Sequence, residues 1–123
     1  MDGMRMEILR LERGDKRFYD YLGPVFGSRI VEKDTGDRFY DDADKVWYVL
    51  PGRGAASVRQ GVLRNFWAVD RETADELVAA MRADNPRLGG VAPRRYEQAF
   101  VSRGFTVQGY RKNFIEVYMS EKD

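Results

Sequence analysis

The sequence predicts a mixed α+β fold in which four helices pack on a central sheet of about seven strands. Short segments rich in β-branched and aromatic residues, such as Val46–Leu50, are typical of strands. Between residues 62–69 and 88–91 the apolar period changes to that of a helix. A strand, a helix and another strand in this order favour a crossover between parallel neighbours. A chain of 123 residues provides one core, so residues 1–123 are predicted to form a single domain.

The first third of the chain is predicted to hold one strand and two helices. Residues 4–11 alternate apolar and charged side chains, which indicates an opening strand. Asp15 is the expected N-cap of a first helix, whose buried face carries Phe18 and Leu22. We expect Pro24 to break this helix and to begin a second one, since proline is tolerated in a first turn. Gly36 is the expected end of that second helix.

Three strands are predicted next, at Val46–Leu50, 55–59 and 62–69, separated by the turn residues Pro51-Gly52 and Gln60-Gly61. Short turns of this kind join antiparallel neighbours. Strict alternation along the third strand predicts two faces, with Leu63, Asn65, Trp67 and Val69 on one and Val62, Arg64, Phe66 and Ala68 on the other.

A helix is predicted after the third strand, with Thr73 and Glu76 as a capping box. Its apolar residues recur at helical spacing, and Asn85-Pro86 ends it. The short apolar run 88–91 is the strand expected to lie parallel to the third one.

The remaining residues predict one more helix and two strands. Pro93 begins the helix, whose buried face includes Tyr96 and Phe100, and Gly104 ends it. Residues 105–110 and 113–119 then complete the sheet as an antiparallel pair.

Composition excludes several kinds of chemistry. The chain has no cysteine and no histidine, which excludes a disulfide framework, a zinc–thiolate site, a cysteine nucleophile and a serine–histidine triad, and we expect no metal site. No segment approaches the roughly 18 apolar residues of a membrane span, so a cytoplasmic protein without a membrane partner is expected. The net charge is only +1, from 21 basic and 20 acidic residues. A uniformly basic surface for nucleic acid is therefore excluded, and any charged site must be local.

The order of the elements resembles the GNAT N-acyltransferase superfamily over nearly the whole chain. The end of the last helix, 99–105, is similar to the family's signature that closes on Gly104-Phe105. The segments 26–29 and 40–42, with Trp47, are similar to bacterial and phage-encoded members. The resemblance implies an acyltransferase that uses acetyl-CoA or another acyl-CoA, held where the strands at 62–69 and 88–91 splay apart.

The resemblance also implies which residues hold the cofactor. Helix N-termini bind phosphates through unpaired N–H groups and the helix dipole. The family places a glycine-rich loop here, whereas residues 69–74 contain no glycine and two acids. The cofactor-binding residues implied are Trp67, Ala68, Val69, Arg71, Thr73 and Ala74.

Proton transfer is assigned by the resemblance to Tyr96 and Asp70. The family's usual tyrosine position is Phe100, which has no proton to donate, and Tyr96 lies one turn earlier on the same face. Asp70 is the acid nearest the third strand and the candidate base, with Glu116 as the alternative. The candidate acceptor pocket consists of Phe39, Tyr40, Trp47 and Asn65.

Charge is unevenly distributed along the chain. Residues 82–112 hold seven basic and two acidic side chains, and residues 30–45 hold six acids and three bases. A basic half attracts the phosphates of coenzyme A or of a nucleic acid, whereas an acidic loop attracts a cationic amine.

Three functions remain open at this point. The first is acyl transfer to the amine of a small molecule or a protein. The second is a GNAT-fold binding or regulatory domain without catalysis. The third is a nucleic-acid-modifying enzyme similar to the phage Mom-type proteins. Exposed aromatic residues and a short sheet edge permit a homodimer.

Overall fold

Seven strands form one mixed sheet in the computed structural model, which describes residues 7–40 and 43–119. The strands are β1 (Leu9–Leu11), β2 (Val46–Leu50), β3 (Gly54–Arg59), β4 (Val62–Ala68), β5 (Gly89–Pro93), β6 (Phe105–Tyr110) and β7 (Phe114–Met119). Their order across the sheet is β1-β2-β3-β4-β5-β7-β6. Neighbouring strands are antiparallel except β4 and β5, which are parallel as predicted.

Four α-helices accompany the sheet within these described residues. They are α1 (Phe18–Phe26), α2 (Arg29–Thr35), α3 (Arg71–Asp84) and α4 (Glu97–Val101), the last preceded by a 3₁₀ turn over Arg94–Tyr96. The predicted α+β fold class and element order are confirmed. The longest described helix, α3, has 14 residues, and no helix in the described part of the chain is long and apolar enough to cross a membrane.

The sheet separates two hydrophobic cores. The larger core joins α3 and α4 to one face through residues such as Leu77, Met81 and Phe100. The smaller core joins α1 and α2 to the other face through Phe18, Leu22, Val31, Trp47 and Trp67. Because both faces of the central strands are covered, β2, β3 and most of β4 are buried.

The first helix differs from the prediction in two ways: its N-cap is Arg17 instead of Asp15, and α1 continues through Pro24 to Phe26. The residue before Pro24 is Gly23, which has no Cβ to clash with the proline ring, so the helical conformation survives there. Helix α2 begins after Ser28, whose hydroxyl accepts a hydrogen bond from the Val31 N–H at 3.1 Å. It ends at Gly36 as predicted, with a left-handed φ of 73°.

The start of α3 also differs from the prediction. Asp70, not Thr73, is the N-cap, and its carboxylate accepts a hydrogen bond from the Thr73 N–H at 2.9 Å. The Thr73 hydroxyl is buried and accepts a hydrogen bond from Arg53 Nε at 3.1 Å. Arg53 on the β2–β3 connection thus donates hydrogen bonds to both Thr73 and Asp70 at the start of α3. Of the predicted opening strand, residues 4–6 lie outside the described residues, and β1 covers Leu9–Leu11.

Candidate active-site cleft

A β-bulge in β4 opens a cleft in the middle of the sheet. Ser57 of β3 is paired with Asn65 and Val58 is paired with Leu63, so Arg64 is the extra residue of the bulge. Parallel pairing of β4 with β5 covers only Val62 with Gly89 and Leu63 with Gly90. The two strands therefore diverge at the bulge.

The bulge corrects the predicted alternation of β4. Leu63 belongs to the larger core with Phe66 and Ala68, whereas Trp67 belongs to the smaller one. The extra residue shifts the pattern by one position, which moves Leu63 to the opposite face from Asn65. Strict period two could not anticipate this shift.

Beyond the bulge, the edge of β4 that faces away from β3 carries backbone groups directed into the cleft. The Val69 N–H donates to the Arg53 carbonyl on the β3 side at 2.8 Å. The N–H and C=O of Ala68 point the other way, and both bond to the Tyr96 hydroxyl. Because these directions alternate along a strand, the backbone groups of Phe66 point into the cleft as well. The cleft thus presents a stretch of strand edge to a ligand.

Tyr96 lies at the centre of this region with only 7% of its surface exposed. Its hydroxyl accepts a hydrogen bond from the Ala68 N–H at 3.1 Å and donates one to the Ala68 carbonyl at 2.9 Å. Burial raises the pKa of this hydroxyl, so it remains protonated at neutral pH. A protonated hydroxyl in a recess is what a proton donor requires.

A cavity of about 320 Å³ lies between the end of β4, the start of α3 and α4. Its walls include Ala68, Val69, Arg71 and Ala74 of the predicted cofactor-binding residues, together with Tyr96. The Arg71 guanidinium bonds to Asp75 at 2.8 Å and to Ser102 at 3.3 Å. Thr73 and most of Trp67 are buried, so these two predicted contacts lie behind the cavity wall.

Asp70 is held by the protein's own groups. Besides capping α3, its carboxylate pairs with the Arg53 guanidinium at 2.8 Å. The hydrogen bonds from Thr73 and the nearby Arg53 charge lower the pKa of Asp70. The alternative base, Glu116, lies on β7 and pairs with Arg111 at 3.3 Å. These bonds give both acids structural roles.

A second cavity, of about 250 Å³, lies where β4 and β5 diverge. Arg64, Asn65 and Phe66 of β4 line one side and Val91 of β5 lines the other. Asp37, which follows α2, also lines it. The structure therefore brings into the cleft a carboxylate from the acidic segment 30–45, and no sequence pattern links residues 37 and 65.

Asn65 connects this carboxylate to a buried lysine. The Asn65 amide donates to Asp37 Oδ2 at 3.0 Å, and its carbonyl accepts from Lys45 Nζ at 2.9 Å and from the Ser57 hydroxyl at 2.7 Å. Lys45 is only 6% exposed, and its ammonium also lies over the Trp47 ring, 5.4 Å from the centroid. Three partners thus fix the orientation of the Asn65 side chain.

The other residues of the predicted acceptor pocket lie elsewhere. Phe39 and Trp47 are buried in the smaller core, with ring centroids 5.8 Å apart, and neither lines the cleft cavity. Tyr40 is 56% exposed. Of the four predicted acceptor residues, Asn65 alone lines the cleft cavity.

Trp67, predicted to contact the cofactor, instead joins β4 to α2. Its indole N–H donates a hydrogen bond to Asp34 at 3.2 Å.

Metal binding receives no support from the described residues, 7–40 and 43–119, in which no group of three or more acidic side chains is placed to hold an ion.

Comparisons with known proteins give no relative for this chain. No protein-family model, no curated protein and no solved structure matches it.

Proposed function

We propose that this protein is a GNAT-like N-acyltransferase that binds an acyl-CoA in the cleft between β4 and β5 and transfers the acyl group to an amine. One observation carries the proposal. A bulge at Arg64 separates the two strands and leaves the β4 edge at Phe66 open beside the buried Tyr96 hydroxyl. The element order, which led to the GNAT resemblance, supports the same conclusion.

The proposed donor site is the cavity at the start of α3. The pantetheine arm of coenzyme A contains amides, which pair with a strand edge such as that of Phe66 in the manner of a neighbouring strand. Arg71 at the first turn of α3 lines this cavity and supplies a bidentate donor for a phosphate. The helix dipole favours the same charge.

The proposed transfer uses two groups beside β4, the Tyr96 hydroxyl and the Asp37 carboxylate. The neutral amine attacks the thioester carbonyl, so that a C–N bond forms and the C–S bond breaks. The Tyr96 hydroxyl donates its hydrogen bond, and then its proton, to the departing thiolate instead of to Ala68. The proton of the amine passes to Asp37, directly or through water. Positioning of the two reactants supplies much of the remaining rate acceleration.

One observation favours a second candidate, a binding domain without acyl transfer. The Asp70 carboxylate occupies the N-terminus of α3 and accepts the Thr73 N–H that a phosphate would otherwise use. A negative charge at this point opposes a pyrophosphate. In this alternative the cleft recognises a partner and has no turnover.

Calorimetric titration with acetyl-CoA and with coenzyme A separates the two candidates. The proposal requires saturable binding with one site, which Arg71→Ala weakens about tenfold, as expected for the loss of about 1.4 kcal/mol of phosphate contact. Arg82→Ala, at the opposite end of the same helix, is the matched control and should leave the affinity unchanged. Release of the free thiol in the presence of an amine panel then tests turnover.

Two results would overturn the proposal. The first is an absence of heat together with an absence of thermal stabilisation at millimolar acetyl-CoA. The second is equal affinity of the Arg71→Ala and Arg82→Ala variants, which would remove the phosphate contact. Binding of acetyl-CoA without release of the free thiol in the presence of any amine of the panel favours the second candidate.

A further inference from the structure

We infer that the acceptor side of the cleft binds a phosphate-bearing molecule, either a single-stranded nucleic acid or a nucleotide. The inference rests on the proposed function only because it calls the bound molecule the acceptor. It is supported by a set of cationic side chains around one opening of the cleft, which we call the basic mouth: Lys33, Arg64, Arg94, Arg95, Arg111 and Lys112.

The basic mouth surrounds two adjoining cavities that share Pro93. One is the cavity of about 250 Å³ in the cleft, and the other, of about 400 Å³, lies between the end of α2, the start of the 3₁₀ turn and the β6–β7 turn. Six cationic side chains and only two carboxylates, Asp34 and Asp37, line them. The whole chain carries a net charge of only +1, so positive charge is concentrated at this opening.

Within residues 7–40 and 43–119, most of these cations are not paired with a carboxylate. No carboxylate there pairs with Lys33, Arg64, Arg94 or Lys112. The other two cations are paired, Arg95 with Asp34 at 3.3 Å and Arg111 with Glu116 at 3.3 Å. Six cations beside two carboxylates leave an excess of positive charge, and a polyanion relieves the repulsion among the cations.

Apolar and aromatic groups accompany the cations. Phe114 and Val91 line the cleft cavity, and Val91 is 40% exposed. The Arg94 guanidinium lies over the ring of the exposed Tyr110, 5.0 Å from its centroid. Bases stack on such rings and on guanidinium planes while cations contact phosphates. This combination favours a nucleotide unit over an anion without a ring.

The acceptor side is distinct from the proposed donor cavity. The donor cavity contacts β4 at Ala68 and Val69, whereas the cleft cavity contacts β4 at Arg64, Asn65 and Phe66. Asp37 faces the cleft cavity, where it would receive the proton of an amine. The two sites meet at Phe66, whose backbone edge is proposed for the pantetheine arm. The phosphates of the acceptor molecule therefore lie at the basic mouth, and those of the donor lie at the start of α3.

Fluorescence anisotropy of a labelled single-stranded 12-mer DNA tests the inference, with the full chain and without acyl-CoA. We expect saturable binding that weakens with salt. Arg94→Ala combined with Lys112→Ala should weaken it at least tenfold and reduce the slope of log K against log salt by about 1.4, for two lost phosphate contacts. Lys16→Ala combined with Arg82→Ala removes the same charge away from the basic mouth and should bind like the original chain.

Competition identifies the source of the phosphate. Displacement of the 12-mer by adenosine monophosphate at a similar molar concentration indicates a nucleotide site, and displacement only by unlabelled strand indicates a strand site. Competition by acetyl-CoA would overturn the inference, because the basic mouth would then hold the donor's phosphates. Equal binding by the two double variants, or no binding of either ligand at low salt, would also overturn it. The anisotropy measurement contains no acyl-CoA. Failure of this inference is therefore distinguishable from failure of the proposed acyl transfer.

Discussion

Tyr96 and Ala68 form a two-way hydrogen bond that holds the start of α4 against the edge of β4. The tyrosine hydroxyl accepts from the Ala68 N–H at 3.1 Å and donates to the Ala68 carbonyl at 2.9 Å. Ala68 lies beyond the point at which β4 stops pairing with β5. A side chain thus satisfies backbone groups that a neighbouring strand would satisfy in a continuous sheet.

Tyr96→Phe should lower both stability and activity. The Ala68 N–H is then buried without a partner, which costs about 1–3 kcal/mol in the free energy of unfolding. Urea denaturation measures this cost. Any acyl transfer should fall by about 10² in rate, because the thiolate loses its proton donor.

The matched control for this prediction is Tyr110→Phe, which removes an exposed hydroxyl that donates to Glu97 at 2.7 Å. It should change the free energy of unfolding by less than about 0.5 kcal/mol. Equal losses in the two variants would contradict the role given to Tyr96.

Gly90→Ala should disrupt the short parallel pairing of β4 and β5. An added Cβ would lie 2.4 Å from the Leu63 carbonyl oxygen, and the φ of 152° is strained for any other residue. The expected loss exceeds about 3 kcal/mol, measured by urea denaturation.

If the Gly90→Ala variant does not fold, two other glycine variants still test the prediction. Gly89→Ala meets the Val117 carbonyl at 3.1 Å and should cost less. Gly14→Ala, with open space around it, should change stability by less than about 0.5 kcal/mol. A Gly90 variant as stable as the Gly14 variant would be incompatible with the observed register.

Asn65→Leu should destabilise the protein through the buried lysine. Lys45 Nζ, Ser57 and Asp37 each lose a hydrogen-bond partner. We expect a cost of about 3 kcal/mol in the free energy of unfolding, since the buried Lys45 ammonium loses the hydrogen bond to the Asn65 carbonyl. Adding Lys45→Met to this variant should recover part of the loss, and a double-mutant cycle measures the coupling. Strict additivity of the two substitutions would show that the contact contributes nothing.

Asp84→Asn should lower stability at neutral pH but not in acid. The hydrogen bond from Arg10 Nε at 2.6 Å holds the pKa of Asp84 below its ordinary value, with Tyr48 donating a second hydrogen bond at 2.8 Å. A lowered carboxyl pKa contributes stability that is present above about pH 4 and is lost as pH falls through the folded-state pKa. The pair is partly exposed, so the effect is below about 1 kcal/mol.

Urea denaturation at pH 7 and at pH 3 measures the Asp84 effect as the difference between the two proteins, which should shrink in acid. Glu12→Gln, at an exposed position between β1 and α1, is the control and should show no such trend. A difference that stays constant with pH would contradict the ion pair.

Local pattern was sufficient for most of the elements. The apolar period of α3, the turns around β3 and the stop at Gly36 are properties of neighbouring residues, and each is found close to its predicted place. Pro24 was wrongly predicted to break α1. The predicted N-caps were also wrong, since α1 is capped by Arg17 and α3 by Asp70.

The candidate site depended on residues far apart in the chain. The role of Tyr96 as proton donor stays a prediction, while Asp37 was placed in the cleft only by the tertiary structure. The Asp70 carboxylate that caps α3 also accepts a hydrogen bond from Arg53, which is 17 residues earlier.

The sequence by itself determined the α+β class, the order of the elements and the parallel neighbours β4 and β5, because periodicity and turn chemistry act over a few residues. Only the tertiary structure decided where β4 and β5 separate. The bulge at Arg64 follows from the pairing of Ser57 with Asn65. Hydrogen bonds to Lys45 and Asp37 hold the Asn65 side chain in place. Such contacts join segments that are 8 to 28 residues apart, and no local pattern encodes them.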